Sequence, residues 1–390
     1  MNMTKIYFAK NLTPWMIDEI KAFSEFCQFS LVLLRKKSTF YENEIHNLNN
    51  KVVNILAKPF KKNFTIKEFF FTVQFILKNI RCFFGIKNLI FGLKAIIWFI
   101  KLDKSIFHLP CYINVQFATQ ASIIAYMLKE YFGNNLNYSL TYHAYDIYFN
   151  NKWFKRLVSS SQSAFSISKY NIEYVIKKYH IKSEKIQLSR LGVFYPNRTH
   201  KLNKKDQFVI GFLGWFNDKK GVRYLLKSLK ILKEKRLKKQ FKLLLAGDGP
   251  KKEAWLKLIA KLNITEYVEY LGVLNSNEKR RFYSSIDVFC LPSIRVRNDM
   301  EGLPVVLMEA ISYNVPIIST NISGIPEICI NKYNGLLIEE RNEVLIAEAI
   351  LKMINNQNLY QKLSKNCSES YKNYNLLINS QKKLRLLNWI

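Results

Sequence analysis

The stretch Glu301-Gly-Leu-Pro-Val-Val-Leu-Met-Glu309 places two carboxylates eight positions apart around a Gly-Leu-Pro turn. Pro304 suits the first position of a helix, because the N–H that it lacks would be unpaired there anyway. Glu301 would then lie on the loop before the helix and Glu309 on its second turn, about 8 Å along the axis. The free N–H groups and positive dipole end between them favour a phosphate. The pair therefore fits a sugar diphosphate held at both ends, and equally a dipole-favoured Glu followed by a surface helix Glu.

Motifs rich in glycine and proline flank this stretch at the ends of apolar runs. The upstream motifs are Gly211-Phe-Leu-Gly214-Trp-Phe-Asn-Asp-Lys-Lys220-Gly221, Gly247-Asp248-Gly249-Pro250 and Asp287-Val-Phe-Cys-Leu-Pro292-Ser293, and the downstream motifs are Gly324-Ile-Pro-Glu327 and Asn334-Gly335-Leu-Leu. In this order and spacing the series closely resembles the C-terminal half of retaining glycosyltransferases of family 4, which carry a Glu-x7-Glu signature. The resemblance runs from about Phe208 to about Ile338.

The resemblance implies the GT-B fold, an α/β architecture of two Rossmann-like domains that face a central cleft. It implies that Glu309 binds the ribose hydroxyls of a nucleotide-sugar. It also implies that Glu301 contacts the donor sugar and stabilises its oxocarbenium-like centre. The other donor-binding positions that it implies are Gly214, Lys220, Gly247, Gly249, Ser293, Gly302, Leu303 and Pro304, the last three through backbone contacts to the distal phosphate.

Transfer from a sugar nucleotide requires that the diphosphate leaving group be neutralised. The chain contains no Asp-x-Asp motif, so we expect no metal and no other cofactor, with Lys, Arg and backbone N–H groups in this role. Lys220, just before a predicted helix, is well placed for a phosphate. The family usually presents an arginine after the strand-end glycine, where this chain has Trp215. Lys219, Arg295 and Arg297 are the candidate substitutes.

In the first half, Thr141-Tyr-His143-Ala-Tyr-Asp146-Ile follows an apolar strand. It resembles the His-Ala-x-Asp-Ile segment of many family 4 enzymes, which implies catalytic roles. His143 would hydrogen-bond the donor sugar or the acceptor hydroxyl, and Asp146 would orient it or act as a base. A single histidine after a strand is also commonly structural. The family's frequent Gly-rich loop after the first strand is replaced here by Asn11-Leu-Thr-Pro14-Trp15, which has no glycine for close approach to a phosphate.

Strand patterns alternate with helical patterns, which indicates parallel strands in doubly wound sheets that bind ligands at the strands' carboxyl ends. In the second half we expect strands at 208–216, 241–246, 267–271, 288–291, 316–320 and 335–338. The first half is less regular, with strands expected near 5–9, 30–34, 105–109, 139–141 and 164–166. We predict an N-terminal acceptor domain at 1–195, a linker at 192–206, a nucleotide-sugar domain at 207–373 and, from the resemblance, a helix at 374–390 that crosses back to the N-terminal domain.

Composition limits the class of protein. The 390 residues are 49% hydrophobic and 14% aromatic, which indicates two folded domains. Six scattered cysteines without metal-site spacing predict a reducing compartment, and the N-terminal run broken by Lys5 and Lys10 predicts no signal peptide. We therefore expect a cytoplasmic protein. The net charge of +31 raises nucleic acid as a partner, but the excess is diffuse and no nucleic-acid-binding signature accompanies it, so we predict none.

The segment at about 55–102 is predicted to be a basic, aromatic-rich insertion. From Lys51 to Leu102 there are ten Lys or Arg and one acid, Glu68, with eleven aromatics between Phe60 and Phe99. This pattern is typical of amphipathic helices on an anionic leaflet, where each basic residue contributes about 1 kcal/mol. Core aromatics with solvated lysines would produce the same pattern. We expect peripheral association with the inner face of the cytoplasmic membrane, and no segment that spans it.

These features and the resemblance predict a retaining, metal-independent glycosyltransferase. It would move a hexose-type sugar from a UDP- or GDP-sugar to a glycan or lipid-linked acceptor in bacterial surface-polysaccharide or lipopolysaccharide biosynthesis. A non-catalytic GT-B protein that binds a nucleotide-sugar or a glycan is the first alternative, and Trp215 favours it. An epimerase or phosphorylase on the same fold and a nucleic-acid binder are the others.

Overall fold

The computed structural model describes residues 3–10, 12–34, 52–57, 65–194, 207–235, 237, 239–297 and 299–390. Packing divides the chain into two compact units. The first unit comprises Met1–Leu191 and Leu376–Ile390, and the second comprises Gly192–Asn375. Most of the linker predicted at 192–206 lies outside the described residues. The helix predicted to cross back at the C-terminus is Leu376–Leu386, which belongs to the first unit.

The first unit is built on a seven-stranded parallel sheet. Its strands are β1 (Thr4–Ala9), β2 (Phe29–Leu33), β3 (Val52–Ala57), β4 (Cys111–Gln116), β5 (Leu136–Tyr142), β6 (Ser163–Ser166) and β7 (Ile186–Leu188), in the spatial order β3-β2-β1-β4-β5-β6-β7. Its helices are α1 (Pro14–Ser24), α2 (Ile66–Lys78), α3 (Ile86–Lys101), α4 (Gln120–Phe132), α5 (Ala144–Tyr148), α6 (Phe154–Ser160) and α7 (Lys169–Tyr179), with the last helix of the chain, α15 (Leu376–Leu386).

The strand predicted at 105–109 is wrong. The Asp103 carboxylate accepts a hydrogen bond from the Ser105 N–H at 3.0 Å, which caps a 3-10 turn at Lys104–Ile106 instead. Pairing with β1 begins only at Pro110, whose carbonyl accepts the Thr4 N–H at 3.0 Å. The observed strand β4 therefore starts at Cys111, directly after Pro110. The sequence also missed the edge strands β3 and β7.

The second unit is built on a six-stranded parallel sheet. Its strands are β8 (Gln207–Leu213), β9 (Gln240–Ala246), β10 (Val268–Gly272), β11 (Val288–Leu291), β12 (Ile317–Thr320) and β13 (Gly335–Ile338), in the order β10-β9-β8-β11-β12-β13. Its helices are α8 (Val222–Glu234), α9 (Lys252–Lys261), α10 (Ser276–Ser285), α11 (Val305–Ser312), α12 (Ile325–Ile328), α13 (Glu343–Asn355) and α14 (Gln357–Tyr371). All six strands predicted for this half are present, but the first ends at Leu213 and not at Phe216.

The strand order reverses once in each sheet. β1 pairs with β2 on one side and with β4 on the other, and β8 pairs with β9 and β11 in the same way. The loops that leave the two strands at such a point diverge and open a crevice at the carboxyl ends, where doubly wound sheets bind ligands. The loops after β8 and β11, and those after β1 and β4, are therefore where a site is expected.

Candidate functional site

Three loops at the carboxyl edge of the second unit's sheet pack backbone against backbone. A Cβ on Gly247 would lie 1.9 Å from the carbonyl oxygen of Gly214, and one on Gly221 would lie 1.8 Å from that of Pro292. Both positions also have a positive φ, +124° and +67°, which glycine adopts without steric cost. The loops after β8, β9 and β11 are thus held in contacts that a side chain would disrupt.

The loop after β8 brings a lysine onto the first of the two predicted carboxylates. Lys220 Nζ lies 3.0 Å from Glu301 Oε1, and the two side chains are only 13% and 8% exposed. Burial pushes the pKa of Glu301 upward, but the charges of Lys220 and Lys219 outweigh it and hold the pKa below its usual value. The Lys220 side chain passes over Gly214, where a Cβ would lie in ordinary van der Waals contact, 3.6 Å from Lys220 Cε. The pair is therefore an ionised carboxylate beside a cation at the reversal point of the sheet.

The second carboxylate, Glu309, lies on the second turn of α11 and is held by α10. The Tyr283 hydroxyl donates to Glu309 Oε2 at 2.7 Å, and Lys279 Nζ contacts Oε1. Burial, and then the charge of Glu309, raise the pKa of Tyr283 well above its usual value, so the phenol stays a donor. The sequence did not single out Lys279 or Tyr283, although their spacing of four residues places them on one face of a helix.

The remaining predicted donor positions lie in the same loops. Ser293 is buried after β11, its carbonyl accepts from Thr320 Oγ1 at 2.6 Å, and its hydroxyl has no hydrogen-bond partner among the described residues. The Gly249 N–H donates to the adjacent Asp248 carboxylate. Gly302, Leu303 and Pro304 are buried. Pro304 is the N-cap and not the first helical residue, because α11 begins at Val305.

Trp215 follows β8 and is 61% exposed. Of the candidate substitutes for the missing arginine, Lys219 is the one whose charge lowers the pKa of Glu301, and its Nζ forms an ion pair with Asp299 at 3.0 Å. Arg295 likewise forms an ion pair, with Glu340 at 3.6 Å. Lys219 as the substitute for the arginine that Trp215 replaces therefore stays a prediction.

In the first unit, His143 follows β5 and is the N-cap of α5. Its ring contacts two aromatic rings that also contact each other, with centroid distances of 4.8 Å to Trp15 and 4.5 Å to Phe117. Burial, and then the charge of Lys383, lower the pKa of His143 to about 3. The imidazole is therefore neutral near pH 7. Its Nε2 lies 3.4 Å from Gln116 Oε1.

Asp146 lies three residues after His143, in the first turn of α5, and is fully buried. Its Oδ2 accepts the His143 backbone N–H at 2.8 Å. Burial raises the pKa of Asp146 to about 7, against the backbone hydrogen bonds from His143 and Ala118, which lower it. Asp146 therefore holds the turn that positions His143.

A buried ionic cluster on the other side of Gln116 was not predicted. Glu19 Oε1 lies 2.7 Å from Lys383 Nζ, and its Oε2 accepts from Tyr7 Oη at 2.7 Å and from Gln116 Nε2 at 2.8 Å. The two ionic partners are separated by 364 residues along the chain, so no local pattern could have revealed the pair.

A pocket of about 200 Å³ opens where the strand order of the first sheet reverses. Its lining mixes aromatic rings, amides, hydroxyls and one lysine, a combination that suits a saccharide with several hydroxyls. The lining residues are Lys10, Thr13, Phe91, Gln116, Phe117, Thr119, Gln120 and Tyr145. Phe117 and Gln116 also contact His143, so the pocket is adjacent to that residue.

The pair α2 and α3 has an exposed face made of apolar and basic side chains, which we call the α2–α3 surface. Its apolar members are Ile66, Phe69, Phe70, Val73, Leu77, Ile80, Phe84, Ile86, Leu89, Ile90, Leu93 and Ile97. Its basic members are Lys67, Lys78, Arg81, Lys87, Lys94 and Lys101. The acid Glu68 is buried and pairs with Lys104 at 2.6 Å. In the part of the chain that is described, no helix is both long and apolar enough to cross a membrane.

Four of the nine described aromatic residues between Phe60 and Phe99 belong to the core instead. Phe75, Phe83, Phe91 and Phe99 are buried, whereas Phe69, Phe70 and Phe84 are exposed. The part of the predicted insertion at 58–64, with its three lysines, lies outside the described residues.

Residues 196–385 match a protein-family model described as glycosyl transferases group 1. WcaL of Escherichia coli, named as a glycosyltransferase of colanic acid biosynthesis, is 32% identical over 180 residues, which cover 45% of this chain and 43% of WcaL. CapM of Staphylococcus aureus, a capsular polysaccharide biosynthesis glycosyltransferase, is 30% identical over 186 residues, which cover 48% of this chain and 46% of CapM. The chain thus spans less than half the length of these relatives.

Solved structures resemble the whole chain. A glycosyltransferase from Rickettsia africae matches 99% of this chain and 98% of its own length, with a TM-score of 0.69 and 15% identity. HepE of Anabaena, solved in complex with UDP, matches 100% of both chains, with a TM-score of 0.71 and 12% identity. At such identities the likeness shows the fold alone, and that fold is the predicted GT-B fold.

Proposed function

We propose that the protein is a retaining, metal-independent glycosyltransferase of bacterial surface-polysaccharide biosynthesis. It would transfer a hexose-type sugar from a UDP- or GDP-sugar to a glycan or lipid-linked acceptor. The buried Lys220–Glu301 pair carries the proposal. It places a lysine, the kind of cation that binds phosphate, beside an ionised carboxylate at the edge of the sheet where ligands bind. The match of this segment to the group 1 family and the surface-polysaccharide names of its relatives support it.

The donor would bind along the loops of the second unit. Lys220 and Lys219 neutralise the diphosphate, which takes the electron pair of the anomeric C–O bond as that bond breaks. Glu301 stabilises the positive charge that develops on the anomeric carbon. The acceptor oxygen forms the new bond on the same face, and its proton passes to the departing diphosphate. Glu309, oriented by Tyr283, accepts hydrogen bonds from the ribose hydroxyls.

The acceptor would use the pocket of the first unit, beside His143. A neutral imidazole can accept a hydrogen bond from a sugar hydroxyl, and the aromatic members of the pocket can cover the faces of sugar rings. The α2–α3 surface would bring this unit to the cytoplasmic leaflet, where a lipid-linked acceptor is embedded. The chain would then act without any cofactor other than its sugar-nucleotide substrate.

The first test is a thermal-shift titration without metal, using UDP, GDP, ADP and their sugar conjugates. A ligand that binds only the folded state stabilises it by about 2.7 kcal/mol at a hundredfold excess over Kd. We expect one nucleotide series to stabilise the protein selectively. Glu309→Gln should weaken that nucleotide's binding about tenfold or more, because hydrogen bonds to a charged acceptor are lost. The exposed Glu253→Gln on α9 is the matched control.

Transfer is then tested with the selected sugar nucleotide and membrane glycolipid extracts, by following release of the nucleoside diphosphate. Release that requires acceptor and is lost in Glu301→Gln supports the proposal. Selective binding without transfer would identify a nucleotide-sugar-binding protein, the alternative that Trp215 favours. Absence of any nucleotide-dependent shift in a cooperatively melting protein would contradict a donor site.

A further inference from the structure

The buried cluster between α15 and β5 consists of groups whose hydrogen-bonding directions are fixed. The Lys383 ammonium can only donate, and it lies 2.7 Å from Glu19 Oε1. The Tyr7 hydroxyl donates to Glu19 Oε2 at 2.7 Å. Glu19 is therefore surrounded by donors and accepts from all of them. All these groups are buried, so bulk water does not supply alternative partners.

The direction of the Gln116 amide follows from that of Glu19. A carboxylate oxygen that already accepts can face only the NH₂ end of an amide, so Gln116 Nε2 is the atom at 2.8 Å from Glu19. The Gln116 carbonyl oxygen must then face His143, where it lies 3.4 Å from Nε2. An amide oxygen only accepts, and the ring nitrogen opposite it must donate.

We propose that the Lys383–Glu19–Gln116 chain fixes His143 in the tautomer with its proton on Nε2, so that Nδ1, which faces the Asp146 N–H in the capping box of α5, carries no proton and can accept from a sugar hydroxyl. Glu19, Gln116 and Lys383 are thus positioning residues that act through His143. The ring holds only one proton near neutral pH, because burial and Lys383 oppose the imidazolium. The inference deepens the proposed function, on which its sugar-binding consequence rests.

Glu19→Gln gives the sharpest test, since it should reverse the chain of hydrogen bonds. The new amide would turn its oxygen to Lys383 and its NH₂ to Gln116. Gln116 would then turn its own oxygen toward residue 19 and its NH₂ toward His143, whose Nε2 would have to accept. We expect the His143 proton to move from Nε2 to Nδ1, although neither the ring nor its neighbours have been changed.

The tautomer is read from two-bond ¹H–¹⁵N correlation spectra of the full chain labelled at histidine. The His143 signals are assigned by their loss in His143→Gln. Wild type should show a protonated Nε2 and an unprotonated Nδ1, and Glu19→Gln the reverse. Gln116→Met, which removes the amide, should populate both tautomers. Gln120→Met, at another glutamine of the same pocket, should keep the wild-type pattern.

Kinetics separate this inference from the proposed function. Glu19→Gln should lower kcat about tenfold, equivalent to one lost hydrogen bond, while the thermal shift caused by nucleotide stays unchanged. If the tautomer reverses but wild type transfers no sugar, the relay stands and the proposed function fails. If wild-type Nδ1 is protonated, or if Glu19→Gln leaves the tautomer unchanged, the relay is overturned whatever the activity.

Discussion

Burial of His143 as a neutral ring has a consequence for folding in acid. Its pKa is lowered to about 3, whereas an unfolded histidine titrates near 6.5. Between these values the unfolded chain binds a proton that the native state does not, so the free energy of unfolding falls as pH falls. The loss between pH 7 and pH 5 should be about 2 kcal/mol. His143→Gln removes it, which urea unfolding at the two pH values measures.

The exposed His108→Gln serves as the control for this prediction and should behave as wild type. Asp146, with a pKa raised to about 7 by burial, acts in the opposite direction. Its contribution to stability is greatest in acid and is lost as pH rises toward 7. The decisive quantity is therefore the difference between wild type and His143→Gln. An identical pH dependence in both proteins would contradict a neutral buried His143.

The sequence predicted the residues of the second unit's candidate site, but not how they contact one another. Glu301 and Lys220 were both named, and their ion pair was not, since it depends on the loop after β8 folding back over Gly214. Asp146 was predicted as a base or orienting group, and its complete burial depends on packing that no motif encodes. Glu19, Gln116 and Lys383 carry no local signature, because each acquires its role only from the other two.

At the level of elements, the strands of the second unit were predictable because most are short apolar runs that begin or end next to a glycine or a proline. In the first unit, the turn residues that mark the ends of strands were less clear. Asp103 and Pro110 shift the strand that precedes α4 to Cys111, and the three-residue β7 is too short for a periodic pattern to detect. Parallel edge strands of this kind are recognised from pairing with a neighbour, which a single sequence does not show.

The α2–α3 surface leads to a prediction about membranes. Its exposed apolar side chains are accompanied by basic residues, and its acid is buried in an ion pair, so an anionic bilayer is the complementary partner. We expect the protein to sediment with vesicles that contain phosphatidylglycerol and not with vesicles of phosphatidylcholine alone. Arg81→Gln with Lys94→Gln should cost about 2 kcal/mol, or roughly a thirtyfold loss in partitioning.

Two matched variants control this experiment. Lys257→Gln with Lys261→Gln on α9 removes the same charge from the second unit and should leave vesicle binding within about twofold of wild type. Phe70→Ser with Ile86→Ser removes two exposed apolar side chains of the surface and should also weaken binding, whereas Val273→Ser with Val344→Ser should not. Equal losses from both basic pairs would mean that net charge alone drives the association.

The whole chain folds as a first unit that is discontinuous in sequence and a second unit that is contiguous. The C-terminal segment supplies Leu384, Leu387 and Trp389 to the core of the first unit, where Trp389 lies 6.2 Å from the ring of Phe23. It also supplies Lys383 to Glu19. The chain therefore completes the first unit only after the second has been synthesised.

A chain that ends at Asn375 should consequently lose the first unit and keep the second. Removing a buried Trp costs about 3–5 kcal/mol, and leaving Glu19 buried without its cation costs about as much again. Together these losses approach the total stability of an ordinary domain.

Hydrogen exchange measured by mass spectrometry should show protection lost in β1, β2, β4 and β5 and retained in β8, β9, β11 and β12. Trp389→Ala should weaken the first unit partially, and the exposed Leu386→Ala should not. Retained protection of β1 and β4 in the shortened chain, or equal loss in both sheets, would contradict this assignment, because the last fifteen residues would then be dispensable to the first unit or equally necessary to both.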